Sequence, residues 1–369
     1  MTNGKGWKEE NGTIFWRQED TIDCHTNNNS FFAGLFDGHG GKEISNFLKN
    51  NFYNFFKEST KATTTEKLID AFSKADEKSP EGEVGNIMYG YQGSTAIVGI
   101  LEEKNNIYTL TVGWVGDSRL VLEHNGNVVF ETSDHTPKNP HELDRIKKAG
   151  GEDKITNSEG GMRVNGIEVS RAIGDKELRD NLIIPIPEIH EINLNEEHNF
   201  LILASDGIWN NISSESAVKI VSQTMKMPAE QLKTKYPDNP VVQYGQLKGL
   251  SDEPIKENGD DHLKLVARAL AYEAITAGST DNISVIIVYL DKKLMQNNMN
   301  IDINTSSQNP KTQVNDKPVL QKIDTVSILR QIRTWWITQP TAKKYIYGLS
   351  ATALATIAGL LCYRLFRHR

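Results

Sequence analysis

STAIVGILEEKNNIYTLTVGWVGDSRLVLEHNGNVVF, residues 94–130, carries the pattern on which the fold turns. Its first eight residues form an almost continuous apolar run, as expected of a strand buried on both faces. After the polar EEKNN the period becomes two: Tyr108, Leu110, Val112 and Trp114 alternate with Thr109, Thr111 and Gly113. EHNGNVV (123–129) then supplies an Asn-Gly turn between that run and the next strand, the pair of residues that best accepts the positive φ of a tight hairpin. The stretch reads as an antiparallel hairpin, since parallel neighbours need a crossover of a dozen residues or more.

The same kind of run recurs at FFAGLF (31–36), NFLILAS (199–205) and ISVIIVYL (283–290), each bounded by Gly, Asp or Asn. Helical spacing falls between them. Ile44, Phe47, Leu48, Phe52 and Phe55 share one helical face, as do Leu263, Val266, Ala267, Leu270, Ala271 and Ala274. Strands clustered as hairpins favour an antiparallel sheet covered by helices over a doubly wound parallel sheet. Residues 1–291 form one such unit, with no repeat and no Pro/Gly/Ser-rich linker dividing it.

Composition narrows the function. A net charge of −7 argues against nucleic acid as a partner, because phosphate neutralisation needs a concentrated positive face. Divalent cations are the more natural partners of an acidic chain. Cys24 and Cys362 stand near opposite ends without metal-ligand spacing, so neither a disulfide framework nor a zinc site is expected. Residues 292–325 are rich in Asn, Gln, Ser, Thr, Lys and Pro and read as a polar linker. Beyond it, Val326, Ile328, Leu329, Ile332, Trp335, Trp336 and Ile337, with Arg330 and Arg333 among them, suit an amphipathic helix at a membrane surface. Residues 345–363 are nearly uncharged and, at about 1.5 Å per residue, reach about 28 Å, close to the ~30 Å of a bilayer core. The expectation for 326–369 is therefore a helical tail ending in a single-pass C-terminal anchor, with the catalytic unit in the cytosol; a buried or oligomerising helix is the alternative.

Four carboxylates stand where a strand run ends or begins: Asp37 in DGHGG, Asp117 in GDSR, Asp206 in SDG and Asp281 in TDN. Asp and Gly are common turn formers, and any one of the four has that plain reading. Four at sheet edges form an all-oxygen ligand set, which suits hard cations such as Mg²⁺ or Mn²⁺ and disfavours zinc.

The order and wording of the motifs resemble the metal-dependent serine/threonine protein phosphatases of the 2C type. The resemblance runs from about Trp16 to Leu290 through FAGLFDGHGG, GSTAIVGI, VGDSRLVL, SDHTP (133–137), ELDRIKKAGG (142–151), VSRAIGD (169–175), LILASDGIWN (201–210) and STDNISVIIV (279–288). It implies an α+β fold: a central β-sandwich of two antiparallel sheets with helices on both outer faces. It also implies hydrolysis of phosphoserine and phosphothreonine on protein substrates at a binuclear Mg²⁺ or Mn²⁺ centre, in a monomeric catalytic domain. By resemblance Asp37 bridges both ions, the carbonyl of Gly38 binds one, and Asp206 and Asp281 bind the other. Glu19 and Asp20 reach the metals partly through water, and Asp117 serves a weaker third ion. Two cations about 3.5–4 Å apart can lower the pKa of a shared water and neutralise the phosphoryl oxygens. His39, beside the bridging aspartate, is then the general acid for the departing oxygen.

The arginine that grips the substrate phosphate in that family stands a few residues before the acidic pair, whereas Arg17 stands two before Glu19. A shift of one residue on a strand reverses the face, so Arg163, in the segment resembling the substrate-side flap, is kept as a substitute. Arg171 and Asp175 read as a buried pair satisfying each other. Residues 224–261 are long and polar, a specificity insertion or a tolerated loop. A catalytically inactive domain of the same fold, acting as a phosphoprotein-binding or regulatory module, is the rival functional reading.

Overall fold

A computed structural model describes residues 7–10, 13–16, 19–27, 30–84, 87–104, 107–158, 161–195, 197–237, 260–290 and 333–339. Arg17, residues 238–259 of the polar insertion, the linker 292–325 and the apolar run 345–363 lie outside them.

Two five-stranded antiparallel sheets form the centre. The first runs, in spatial order, through strands 188–194, 107–115, 96–104, 30–36 and 21–26; the second through 127–131, 119–124, 198–204, 283–289 and 333–339. Period-two alternation decides which residues meet. Phe31, Ala33 and Leu35 of the first sheet, with Ile97, Leu101, Leu110, Val112 and Trp114, face Leu120, Leu122, Leu201, Leu203, Ile286 and Val288 of the second. Their odd-even partners point outward. Phe32, Phe36, Ala96, Val98 and Ile100 pack under helices α1 (Glu43–Lys57) and α2 (Thr64–Glu77). Burying each such large side chain contributes about 1.5–3 kcal/mol, so the runs are apolar throughout because both faces are covered.

Helix α1 buries Ile44, Leu48 and Phe52 fully, and α2 starts at a capping box in which Thr63 and Glu66 satisfy each other's backbone N–H. Helix α3 (Pro140–Lys148) lies beside a smaller core of Ile146, Val164, Val169, Ala172, Leu182 and Ile183 under the hairpin 155–164. On the second sheet's outer face lie the short α4 (Asp206–Trp209), α5 (Ser214–Thr224), α6 (Ala229–Lys235) and α7 (Asp260–Thr276). In α7 Val266, Ala267, Leu270, Ala271 and Ala274 are fully buried and Leu263 nearly so, the face expected from their spacing. The result is a four-layer α+β sandwich.

Two sequence expectations are corrected. The Asn-Gly turn does not follow the 107–115 strand. That strand pairs with 96–104 and 188–194 in the first sheet, whereas Asn125 and Gly126, with φ of 50° and 85°, join 119–124 to 127–131 in the second. The chain changes sheet at Gly116, whose φ is +95° and where an added Cβ would stand 2.6 Å from Thr95 Cγ2. Period-two patterning is the same in either sheet and cannot report that crossing. Second, Arg333–Gln339 is a strand and not part of an amphipathic helix: it pairs antiparallel with 283–289, Ile283 opposite Gln339 and Tyr289 opposite Arg333. Trp335, Trp336 and Ile337 are strand formers as readily as helix formers, and the unpaired edge of 283–289 offers the backbone partners. Among the described residues, no helix is long and apolar enough to cross a membrane.

Candidate functional site

Antiparallel pairing gathers one end of each sheet. Thr21 lies opposite Phe36, which places Glu19-Asp20 beside Asp37. Ala204 lies opposite both Arg119 and Val285, which brings Asp206, Asp117 and Asp281 to the same end. Hydrogen bonds tie the loops together. Ser205 Oγ donates to Asp20 Oδ2 at 2.9 Å and accepts from Ser284 N at 3.0 Å. Glu19 N donates to Asn282 Oδ1 at 2.8 Å, and Asn282 N donates to Asp281 Oδ1 at 2.7 Å. Thr95 Oγ1 accepts from Asp37 N at 3.2 Å and bonds Ser118 Oγ at 2.7 Å, linking the Asp37 and Asp117 loops.

The carboxylates act on one another. Burial first, and then the charges of Asp20, Asp206, Asp281 and Asp117, push Asp37 well above the usual carboxylate range. Asp206 is raised in the same way, by burial and then by Asp117, Asp281, Asp20 and Glu168. Burial and Asp134 push Asp117 to about 7, and burial, opposed by hydrogen bonds from Ser284 and Asp37, leaves Asp20 at about 6. Asp281 keeps solvent exposure and is also raised. Such a concentration of negative charge is costly without cations. Among the described residues no group of three His, Cys, Asp or Glu is placed to hold an ion by side chains alone. The donor set, all oxygen and strongly acidic, nevertheless fits hard divalent cations that also take water and backbone carbonyls. Gly38 fits a carbonyl donor in tight quarters: a Cβ there would stand 2.8 Å from Glu19 O and Ser45 Oγ.

His39 bonds Asp175 at 2.7 Å through Nε2. Burial lowers its pKa, but the charge and hydrogen bond of Asp175, with Asp117 and Glu19 beyond, outweigh that and raise it. The expected Arg171–Asp175 pair is not formed. Arg171 instead bonds Glu142 Oε1 at 2.6 Å and Glu188 Oε1 at 3.2 Å, because Glu142 on α3 is 2% exposed and also collects Arg145 and Ser170 Oγ. Arg163, on the hairpin 155–164, pairs with Glu168 at 2.5 Å. Glu168 itself escaped the sequence reading, yet its charge acts on Asp117, Asp206 and Asp281. Ser205 and Asn282, also missed as loop ties, sit next to carboxylates that were chosen, and that adjacency is the signal that could have found them.

A four-layer α+β sandwich with an acidic centre at the open end of its sheets defines the class. The profile described as Protein phosphatase 2C matches residues 1–283, and the chain belongs to that family. Probable protein phosphatase 2C 59 of Arabidopsis thaliana is 33% identical over 258 residues, which is 69% of this chain and 68% of that protein. Probable protein phosphatase 2C 2 of Paramecium tetraurelia is 31% identical across 70% of this chain and 82% of its own length. Protein phosphatase 1B of Homo sapiens is 33% identical over 54% of this chain and 44% of its own. The matched stretch is 60% and 57% of two further plant relatives, so parts of those proteins have no counterpart in the match. Among solved structures, a C. elegans sex determining protein superposes with a TM-score of 0.58 at 22% identity, covering 80% of this chain and 65% of that one. A phosphatase from a pathogenic strain of Toxoplasma gondii does so at 0.57 and 19%, covering 78% and 91%. Both likenesses concern the fold. The family's membership supports protein phosphatase activity.

Proposed function

We propose that the chain is a Mg²⁺- or Mn²⁺-dependent phosphatase of phosphoserine and phosphothreonine in proteins. The reading is supported by one observation: the loops that carry Asp20, Asp37, Asp117, Asp206 and Asp281, spread over more than 260 positions, meet at one end of the sandwich and are tied by hydrogen bonds. Asp37 and the carbonyl of Gly38, with Asp206 and Asp281, would hold two ions, with Glu19 and Asp20 assisting through water and Asp117 serving a weaker third. When bound, such ions supply a water of lowered pKa and neutralise the phosphoryl oxygens. His39, whose pKa Asp175 raises, would give its proton to the departing serine or threonine oxygen. The phosphate itself needs a guanidinium. Arg17 lies outside the described residues, and Arg163, on the hairpin 155–164 and paired to Glu168, is the second candidate.

The test is hydrolysis of p-nitrophenyl phosphate and of a phosphothreonine peptide by the full chain, with and without Mn²⁺. Metal-dependent turnover that disappears in Asp37→Asn and Asp206→Asn variants, with the fold retained, is expected. No metal-dependent turnover would instead select the inactive phosphoprotein-binding module. The tail-anchor reading of 345–363 with a cytosolic domain is part of the proposal and rests on sequence pattern; membrane fractionation of a chain ending at residue 340, which keeps the strand Arg333–Gln339, tests it, and unchanged fractionation rejects it.

A further inference from the structure

We propose that Asp175 is a positioning residue for His39: its buried carboxylate fixes the imidazole through Nε2 and leaves Nδ1 as the nitrogen that serves the departing oxygen. The catalytic half of this proposal rests on the phosphatase reading; the pairing itself does not.

A small three-stranded antiparallel sheet builds the pair. Its centre, Gly93–Ser94, is flanked by Gly38–His39 on one side and Ile173–Gly174 on the other, with His39 and Gly174 both opposite Gly93. Residues 136 positions apart are thereby brought to either side of one glycine. The glycine is required: a Cβ at position 93 would stand 2.1 Å from Asp175 Oδ2 and 2.5 Å from His39 Nε2. After the strand the backbone turns through two positive φ values, 93° at Gly174 and 51° at Asp175. The second lies in the left-handed region that few residues with a side chain adopt, and aspartate is one of those that do. Asp175 N bonds Gln92 O at 2.7 Å, which holds the turn against the centre strand.

The carboxylate's bonding is aimed at one target. Asp175 is 0% exposed, its Oδ2 bonds His39 Nε2, and its Oδ1 has no hydrogen-bond partner among the described residues. A buried structural aspartate uses both oxygens, as Glu142 does with Arg145, Arg171 and Ser170. The His39 side chain keeps 27% of its surface exposed while its Nε2 is held against the fully buried carboxylate. An imidazole bonded to a carboxylate through one nitrogen has its orientation and its protonated atom set for the other.

Full-length wild type and the H39A, D175N, D175A and H39A/D175A variants would be compared in Mg²⁺. Asn is chosen because it tolerates the left-handed backbone and keeps an acceptor oxygen. Two readouts are needed: kcat on a phosphothreonine peptide against p-nitrophenyl phosphate, and the His39 imidazole ¹⁵N resonances, assigned by their loss in H39A. The expected result is that D175N loses about tenfold more on the peptide than on p-nitrophenyl phosphate and D175A about 100-fold more, within the range a general acid supplies. H39A/D175A should be no slower on the peptide than H39A, and the His39 Nε2 resonance should move in D175N. Equal losses on both substrates, or a double variant slower by the full D175A factor, would overturn the positioning role. An unmoved His39 spectrum would overturn the pair. Absence of turnover in wild type counts against the phosphatase reading alone, because the spectrum still decides the pairing.

Discussion

Chelating divalent cations should invert the usual pH dependence of stability. In the metal-free protein, Asp117 titrates at about 7 and Asp20 at about 6, against an ordinary 3.8, and Asp37 and Asp206 lie well above that value. A carboxyl whose folded pKa is raised keeps its proton where the unfolded chain has lost it. Its contribution is whole below about pH 4 and is lost as pH rises through the folded value. At about 1.4 kcal/mol per pH unit, a rise of about three units at Asp117 costs about 4 kcal/mol and about two units at Asp20 costs about 3. Because the carboxylates raise one another, the two figures overlap, and the combined loss is on the order of 5 kcal/mol. That is comparable with the whole stability of many domains, about 5–15 kcal/mol. The assay is urea unfolding at fixed temperature from about pH 4.5 to about pH 8, in EDTA and in saturating Mn²⁺. The EDTA protein should weaken steadily across that range, and Mn²⁺ should flatten the curve and raise it most at the alkaline end. Glu142, depressed to about 2, titrates below this window and does not offset the trend. A flat or rising EDTA curve, or an Mn²⁺ effect independent of pH, would refute a cation-compensated carboxylate cluster.

Glu142→Gln should destabilise the fold by about 3 kcal/mol at pH 7, since Glu142 is 2% exposed and its pKa lies about 2.5 units below the ordinary value. The difference is present above about pH 4.5 and should vanish as pH falls through about 2; urea midpoints that match wild type at pH 7 would reject it. Gly207→Ala places a Cβ 2.0 Å from Asn282 O, so the backbone next to Asp281 must move. Mn²⁺ affinity measured by calorimetry should fall about tenfold or more with the fold intact, as for lost supporting contacts around metal ligands, and an unchanged Kd contradicts the placement. Ending the chain at residue 332 removes the strand Arg333–Gln339 and bares the edge of Ile283–Tyr289. Concentration-dependent self-association by light scattering is expected, and a strictly monomeric product would show that the edge was already protected.

Local pattern was enough for much of this protein. Apolar runs at 31–36, 199–205 and 283–290 had to be strands buried on both faces, and the spacing of Leu263 to Ala274 had to be a helix, because period and burial are written into neighbouring residues. Asp37, Asp117 and Asp206 announced themselves by standing just after a strand run, and Asp281 by standing just before one. What the chain order could not contain is who lies across from whom. The crossing between sheets at Gly116, the strand made by Arg333–Gln339, the choice of Glu142 by Arg171 and the meeting of His39 with Asp175 across Gly93 all depend on pairs of residues far apart in sequence. A side chain's chemistry is local, but its partner is selected by sheet register and by competition among buried charges, and both exist only once the layers have closed.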